Sequence, residues 1–511
     1  MREPDWESMD EQAFEELLES SVTQPPPEQV VAEVTPWRLA TKRILTGIAL
    51  TSITLNFFWL NYLLPAIGMV LMLLGFRALR RENRCLSICF GLAVLRAIHL
   101  YATLIFNSTI WFSMVSSSVL YGLTVLNLAL TYTQLLCLWG GFRAVQQKAG
   151  LPPHAGSAVA LLIWYGITGL LGALGYSGLI LPFVMLVCYI LILRSLWKLS
   201  RELDQAGYAI RPAPVRVTDT VLAIAIAAVV VIGCLCGLLL GCKYPMDWQA
   251  ADPAEHSGVE EIKAQLLELG FPDYVLQDLT AEDIAACEGA LRVVWDVDDR
   301  PLNNGRIAAT VVQTEKGQSV TRKRVYDVEE LRITGVAVEL PGQREHWMIF
   351  HHFLWTVDPG FYGTESIQLW PASRTTLGTW HSTGAVTGRV LYEKDGTTYT
   401  APYYYLGEQT FTSSSIFWGE ETSSDVFAAF SMPGTGENHR GYLAYPMEAV
   451  EESRLIDSWF NYTHQRTALQ YPAMTAMDFR MSGAWDGNSP FRTIQDALQF
   501  YPTEESAELI S

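Results

Sequence analysis

The chain has 511 residues, more than one hydrophobic core organises, so two or more folding units are expected. Its net charge of −18 is unevenly placed: residues 1–41 carry ten acids against two bases, residues 42–241 four against fourteen, and residues 242–511 thirty-nine against nineteen. With a mean hydropathy of +0.17, an apolar middle with basic loops between two acidic ends describes a bilayer-embedded chain and argues against nucleic acid as a partner.

In chain order, Ser8-x-x-Glu11 is a capping box. It opens a short helix with Phe14, Leu17 and Leu18 on one face, and Pro25-Pro26-Pro27 follows as a stiff spacer. Residues 1–35 read as an acidic cytoplasmic tail, either a docking helix for a cytoplasmic regulator or a disordered segment. The acidic start leaves the first hydrophobic segment as the expected insertion signal. Thr35 suits an N-cap, Pro36 the first helical position and Trp37 the membrane interface.

A membrane helix needs roughly 20 apolar residues. Leu86–Phe106, Ser118–Trp139, Ala158–Tyr176, Leu179–Leu193 and Thr220–Gly241 each read as one span. Ile44–Phe76 is uncharged and too long for a single crossing. Basic residues cluster at Lys42/Arg43, Arg77–Arg84, Arg143/Lys148 and Arg194–Arg216. All four clusters lie on the cytoplasmic side if Ile44–Phe76 is a hairpin turning near Asn61-Tyr62, whether it spans twice or is re-entrant. The expected architecture is about seven transmembrane helices over residues 36–242, with the N-terminus inside and everything from residue 243 outside.

Thr35-Pro36-Trp37-Arg38, Leu55-Asn56-Phe57, Asn61–Gly68 (NYLLPAIG) and Leu74-Gly75-Phe76-Arg77 resemble a membrane segment of uncharacterised multi-pass membrane proteins from Gram-positive, clostridia-like bacteria. Leu269–Pro272 and Asp278–Ile284 are similar to a helical stretch at the start of their extracytoplasmic part. The resemblance implies a bacterial plasma membrane and carries over no activity, cofactor or catalytic residue.

Polar residues at membrane depth are costly and are functional candidates. Arg96, His99, Thr103 and Asn107 share one face of the span Leu86–Phe106; Ser117, Tyr121, Thr124, Asn127, Thr131 and Gln134 share one face of the next. At about 1.5 Å per residue, Arg96 comes level with Asn127, His99 with Thr124, and Thr103 nearly with Tyr121. The two stripes form a seam that is hydrogen-bonding glue, an anionic-ligand site at Arg96, or a transport path. Gly166, Gly169, Gly172, Gly175 and Gly178 read as close helix packing, and six of the eight cysteines as apolar packing.

Residues 243–290 read as a helical segment with capping-box starts at Ser257-x-x-Glu260 and Thr280-x-x-Asp283. Residues 291–511 read as a mainly-β, sandwich-like extracytoplasmic domain. Its hairpin signals are Asp395-Gly396, Lys316-Gly317 and Pro341-Gly342. Trp347–Trp355 suits a strand covered on both faces, and a late helix is expected near Met447–Phe460. Asp296–Asp299 with Asn303-Asn304-Gly305 reads as a solvated turn rather than a calcium loop, which would need a Glu at its twelfth position. His351 and His352 point to opposite faces of a strand and cannot chelate together. No catalytic motif, cofactor or metal is read. Trp370, Trp380, Tyr403, Tyr405 and Trp418 are the candidate aromatics for an envelope ligand. The pattern favours a non-enzymatic membrane sensor or envelope-associated interaction protein, with a transporter or channel through the Arg96/His99 seam, or an extracytoplasmic hydrolase, as alternatives.

Overall fold

The computed structural model describes residues 36–52, 56–175, 178, 180–206, 208, 213–303, 305–314, 317–370, 380–415, 419–449, 455–483 and 489–502. It divides into two units: one of residues up to 105 together with 115–233, the other of residues 106–114 with 234–511.

The first unit is helical. α1 (Pro36–Ser52) begins at the expected proline and is followed by α2 (Leu60–Leu79), α3 (Arg84–Phe106), α4 (Ser117–Lys148), α5 (Gly156–Ala173), α6 (Ile180–Gln205) and α7 (Asp219–Leu240). Six of these, α2 to α7, are long and apolar enough to cross a membrane; α1 has 17 residues. The chain is a multi-pass membrane protein. α1 and α2 form the hairpin inferred from the arginines, turning at Phe58 and Trp59, both at positive φ. Their axes approach closely because glycines face each other: a Cβ on Gly47 would lie 2.4 Å from Met72 Cγ and 2.5 Å from the Gly68 carbonyl oxygen.

The basic clusters gather at one end of this unit. Asp219, opening α7, accepts from Arg43 Nη1 at 2.5 Å and from Arg77 Nη1 at 3.3 Å. Arg80 donates to the Pro214 carbonyl at 2.8 Å, and Lys148 to the Glu82 carbonyl at 2.6 Å. Tyr208 donates to the Glu82 carboxylate at 2.7 Å. The start of α1, the α2–α3 turn, the end of α4, the segment after α6 and the start of α7 therefore share one face, which is the alternation that the loop charges require.

The second unit is a β-sandwich whose larger sheet carries a layer of helices. Its larger sheet runs β1-β10-β9-β13-β6-β5-β2, with β8 also paired to β13. The strands are β1 (Gln249–Ala250), β2 (Arg292–Arg300), β5 (Leu331–Leu340), β6 (His346–Trp355), β8 (Trp380–Ser382), β9 (Thr387–Lys394), β10 (Thr397–Pro402) and β13 (Glu437–Ala449). The smaller sheet runs β11 (Tyr405–Ser415), β12 (Gly419–Phe430), β7 (Glu365–Trp370), β14 (Ile456–Gln465), β15 (Phe491–Phe500). β3 (Arg306–Thr314) and β4 (Gly317–Val325) form a separate hairpin. Asp395 and Gly396, both at positive φ, close the β9–β10 hairpin as their dipeptide predicts.

Between the sheets lies a core containing Ile333, Trp347, Phe353, Leu443 and Tyr445 from one and Ile367, Leu369, Phe430, Phe460 and Tyr462 from the other. The opposite face of the larger sheet, with Val336, Met348, Phe350 and Tyr442, is covered by α8 (Glu260–Glu268), α9 (Asp273–Leu276) and α10 (Ala281–Ala285) through Leu266, Phe271, Leu276 and Ile284. β6 is thus buried on both faces, which accounts for its nearly unbroken apolar run.

Two expectations are corrected. Met447–Phe460 forms no continuous helix: Met447 and Ala449 end β13, while Ile456 and Phe460 belong to β14 and face the core. Met447–Ala449 pair with β6 and β8, and Ile456–Phe460 with β15, so both ends are held in the sheets; residues 450–454 lie outside the described residues. The late helix is α11 (Ala476–Met481), opened by a Thr475/Asp478 capping box. Asp296–Asp299 is no turn but part of the edge strand β2; Asp298 pairs with Arg300 at 2.5 Å and Asp299 with Arg332 at 2.8 Å. Charges suit a sheet edge because they oppose further strand pairing.

Candidate functional site

The polar seam begins with a two-way exchange between α3 and α4. Gln134 Nε2 donates to the Cys89 carbonyl at 3.2 Å, and Cys89 Sγ to the Gln134 carbonyl at 3.4 Å. Nearer the basic end, Asn83 donates to the Gly141 carbonyl at 3.1 Å. Carried along two antiparallel helices, this register sets Arg96 level with Asn127. The guanidinium nevertheless leans back and donates from Nη1 to Gln134 Oε1 at 2.5 Å. Side chains on a helix tilt toward its N-terminus; in antiparallel helices Arg96 and Gln134 therefore tilt toward each other and span the two-turn offset.

Arg96, Thr131 and Gln134 line one cavity with Thr51, Met72 and Tyr165; it measures about 10 Å³, room for at most one water. Tyr165 is hydrogen-bonded to Ser52. Arg96 Nε has no partner among the described residues. The other seam residues are not brought to this cavity. Thr103 donates to the His99 carbonyl at 2.8 Å and Thr124 to Leu120 at 2.9 Å, each closing on its own helix as the Thr131 hydroxyl also does on Asn127. Thr124 is exposed, His99 and Asn127 are half-buried, and a Cβ at Gly122 would meet nothing within 4 Å. Protein packs the half of the seam nearer the basic end, leaves Thr124 exposed and His99 and Asn127 half-buried beyond it, and buries Asn107 at the far end.

Of the candidate aromatics, the side chains of Trp370, Tyr403 and Tyr405 fall among the described residues and sit in different settings. Trp370 is half-buried, donates to Asp425 at 2.9 Å and lies 6.1 Å from Trp459. Tyr403 is buried and donates to the Tyr442 carbonyl at 2.9 Å. Trp418 and the Trp380 side chain lie outside the described residues.

Tyr405 belongs instead to a feature that sequence reasoning missed, the seat of loop 106–114 within the β-rich unit. Ile110 is buried against Tyr244 and Ala429, with Met246, Tyr405 and Met477 packed around them. Ile110 N donates to the Gly241 carbonyl at 2.9 Å, and Ala473 N to the Asn107 carbonyl at 2.7 Å. Tyr404 stacks on Tyr244 at 4.7 Å and donates to Met114 Sδ at 3.5 Å. Glycine is required at 237 and 241: Cβ atoms there would lie 2.0 Å from Ser108 Oγ and 2.7 Å from Thr109 Cγ2.

Buried charges join the helical layer to the sheet. Asp278 accepts from His352 Nε2 at 2.9 Å and from Arg440 Nε at 2.8 Å. Burial raises the Asp278 pKa, but the hydrogen bond and charge of His352, together with Arg440, outweigh it and hold the carboxyl below its usual value. Asp283 takes a hydrogen bond from Tyr442 and another from Thr387 at 2.6 Å. Arg389 reaches Glu255 at 2.8 Å and the Asp278 and Leu279 carbonyls at 2.9 and 3.0 Å. The Thr280-x-x-Asp283 capping signal was legible; the partners of Asp278 and Asp283, far off in sequence, were not.

On the opposite face, His351 Nε2 lies 2.6 Å from Ser458 Oγ, which is also 2.6 Å from Tyr445 OH. His351 and Ser458 are 0% exposed, and burial lowers the His351 pKa to about 3. This serine–histidine contact is a polar bridge inside the sandwich, closed to substrate. Among the described residues no group of three or more His, Cys, Asp or Glu is placed to hold a metal ion.

The fold defines a multi-pass membrane protein joined to a β-sandwich whose larger sheet carries a helical layer. No protein-family model, curated protein or solved structure matches the chain.

Proposed function

We propose that the chain is a non-enzymatic sensor or interaction protein of a bacterial plasma membrane, with a cytoplasmic acidic tail and an extracytoplasmic β-rich unit that takes a cell-envelope ligand or partner. The observation that carries this reading is the seat of loop 106–114, the connection between α3 and α4, within the β-rich unit. A ligand that shifts the β-rich unit would act directly on the ends of the helices that hold Arg96 and Gln134. The basic clusters gathered at one end of the helices support a cytoplasmic N-terminus through the positive-inside rule.

A transporter would need a continuous lined path, and the cavity beside Arg96 takes about one water. A hydrolase built on His351 and Ser458 would need access to two fully buried side chains. Both alternatives are weaker than the sensor reading.

The test is co-sedimentation of the full chain, in lipid nanodiscs, with purified cell-wall sacculi, followed by amide exchange across residues 106–114. Retention with altered exchange in the loop supports sensing. Retention with unaltered exchange leaves a wall-binding protein without signalling. Absence of retention, together with an unchanged transcriptional response when residues 1–34 are deleted, overturns the proposal.

A further inference from the structure

A second site lies between α1 and α6. Lys42, Leu45 and Ala49 of α1 face Leu193, Arg194 and Trp197 of α6 across an open groove of about 430 Å³, many times the roughly 30 Å³ share of one water. Its two ends differ in chemistry. α1 runs away from the basic end of the unit and α6 runs toward it, so Lys42 and Trp197 mark the end near the membrane surface, with Arg194 a turn deeper. Leu45, Ala49 and Leu193 floor the part that runs into the apolar layer.

Arg43, adjacent to Lys42, pairs with Asp219, as does Arg77, and Arg80 is taken by the Pro214 carbonyl. Lys42 and Arg194 carry no hydrogen bond or ion pair among the described residues, although both line the same groove. Two cations with no partner among the described residues, and an indole above an apolar floor, complement a molecule with an anionic head and a hydrocarbon tail. Basic pockets between membrane helices at the interface bind such headgroups, and tryptophan favours that depth. A water-soluble anion would use the cations but not the floor.

We propose that this groove holds an anionic phospholipid, with its phosphate between Lys42 and Arg194 and an acyl chain along Leu45, Ala49 and Leu193. The assignment is independent of what the β-rich unit binds.

The experiment uses the full chain in detergent, titrated with phosphatidylglycerol or phosphatidylcholine and read by native mass spectrometry, with brominated acyl chains quenching Trp197. Phosphatidylglycerol is expected to bind about ten-fold more tightly, roughly the contribution of one or two interfacial cations. The K42Q/R194Q variant should bind both lipids alike, while K198Q/R201Q, which removes the same charge outside the groove, should keep the preference. Circular dichroism on both variants checks that the helices are intact. Equal binding of the two lipids by the unaltered chain overturns the proposal. So does a preference lost equally in both variants, which would mark general charge attraction. A preference seen only after deletion of residues 1–35 would assign the groove to the acidic tail and overturn it as well.

Discussion

Arg96 and Gln134 meet at 2.5 Å even though the α3–α4 register sets their backbones two helical turns apart. The contact exists because antiparallel helices tilt their side chains toward one another. It is a charged donor on a neutral amide at membrane depth. Gln134→Ala removes both the Arg96 partner and the bond to Cys89, and should cost about 1–2 kcal/mol, the upper range for interhelical hydrogen bonds in bilayers. Gln134→Glu keeps an acceptor for Arg96, now a carboxylate, but loses the donor to the Cys89 carbonyl, so it should lose less stability than Gln134→Ala. Unfolding of the full chain in bicelles measures both; equal losses for the two variants would refute a specific Arg96–Gln134 interaction.

His351 sets a pH dependence for the sandwich. Its folded pKa of about 3 lies below the ordinary 6.5 because burial disfavours the imidazolium. Stability from the neutral ring is therefore complete above pH 6.5 and declines as pH falls toward 3, by at most about 1.4 kcal/mol per pH unit. Glu365, whose pKa burial raises from 4.5, contributes with the opposite sign: its share is present at low pH and lost as pH rises through the folded value. His351→Phe leaves the Glu365 contribution in place, so the difference between variant and unaltered chain isolates the histidine. Denaturant midpoints taken between about pH 7 and pH 4 should fall less steeply in the variant. Parallel curves would show that His351 does not titrate on unfolding.

The sequence was most legible where signals are local or arise from the bilayer. The α1–α2 hairpin followed from arginines 77–84, the start of α1 from Pro36, and the β9–β10 turn from Asp395-Gly396. The alternate burial of His351 and His352 followed from strand period alone. The helix expected near Met447–Phe460 fails at both ends because Met447–Ala449 and Ile456–Phe460 pair with strands distant in sequence, a non-local constraint. At the candidate site, depth matching set the α3–α4 register but not the backward reach of Arg96, which depends on side-chain direction. The seat of Ile110 was invisible because Tyr244, Tyr405, Ala429 and Met477 converge on it from four separate stretches of chain.

That seat should be separable from the sandwich core. Ile110→Ala empties a position that is 1% exposed in a small cluster. Large-to-small changes of this kind cost about 2–5 kcal/mol, toward the lower end where neighbours can relax. The expected outcome is faster amide exchange at Ile110 and Ala473, whose N–H groups hold the loop, with little change in strands β6 and β13. Uniform acceleration across the unit would mean that the loop is part of one cooperative core and could not serve as a separate coupling element.

Asp278 tests whether the helical layer is held by charge or by apolar burial. Asp278→Asn takes away one of the two carboxylates on Arg440, leaving Glu393 at 3.0 Å, and turns the His352 contact into a neutral hydrogen bond; breaking a buried pair from one side costs about 3–5 kcal/mol, and the remaining Glu393 pair places this loss toward the lower end. Because the Asp278 pKa is depressed in the fold, its contribution is present above the ordinary value of 3.8 and lost as pH falls through the lower folded value. The variant should therefore lose stability at neutral pH and converge on the unaltered chain in strong acid. The loss should appear first as proteolytic cleavage near residues 260–285, with the sheets intact. If α8 to α10 stay protected, the apolar contacts of Leu266, Phe271, Leu276 and Ile284 suffice, and the Asp278–His352–Arg440 cluster fixes their orientation rather than their attachment.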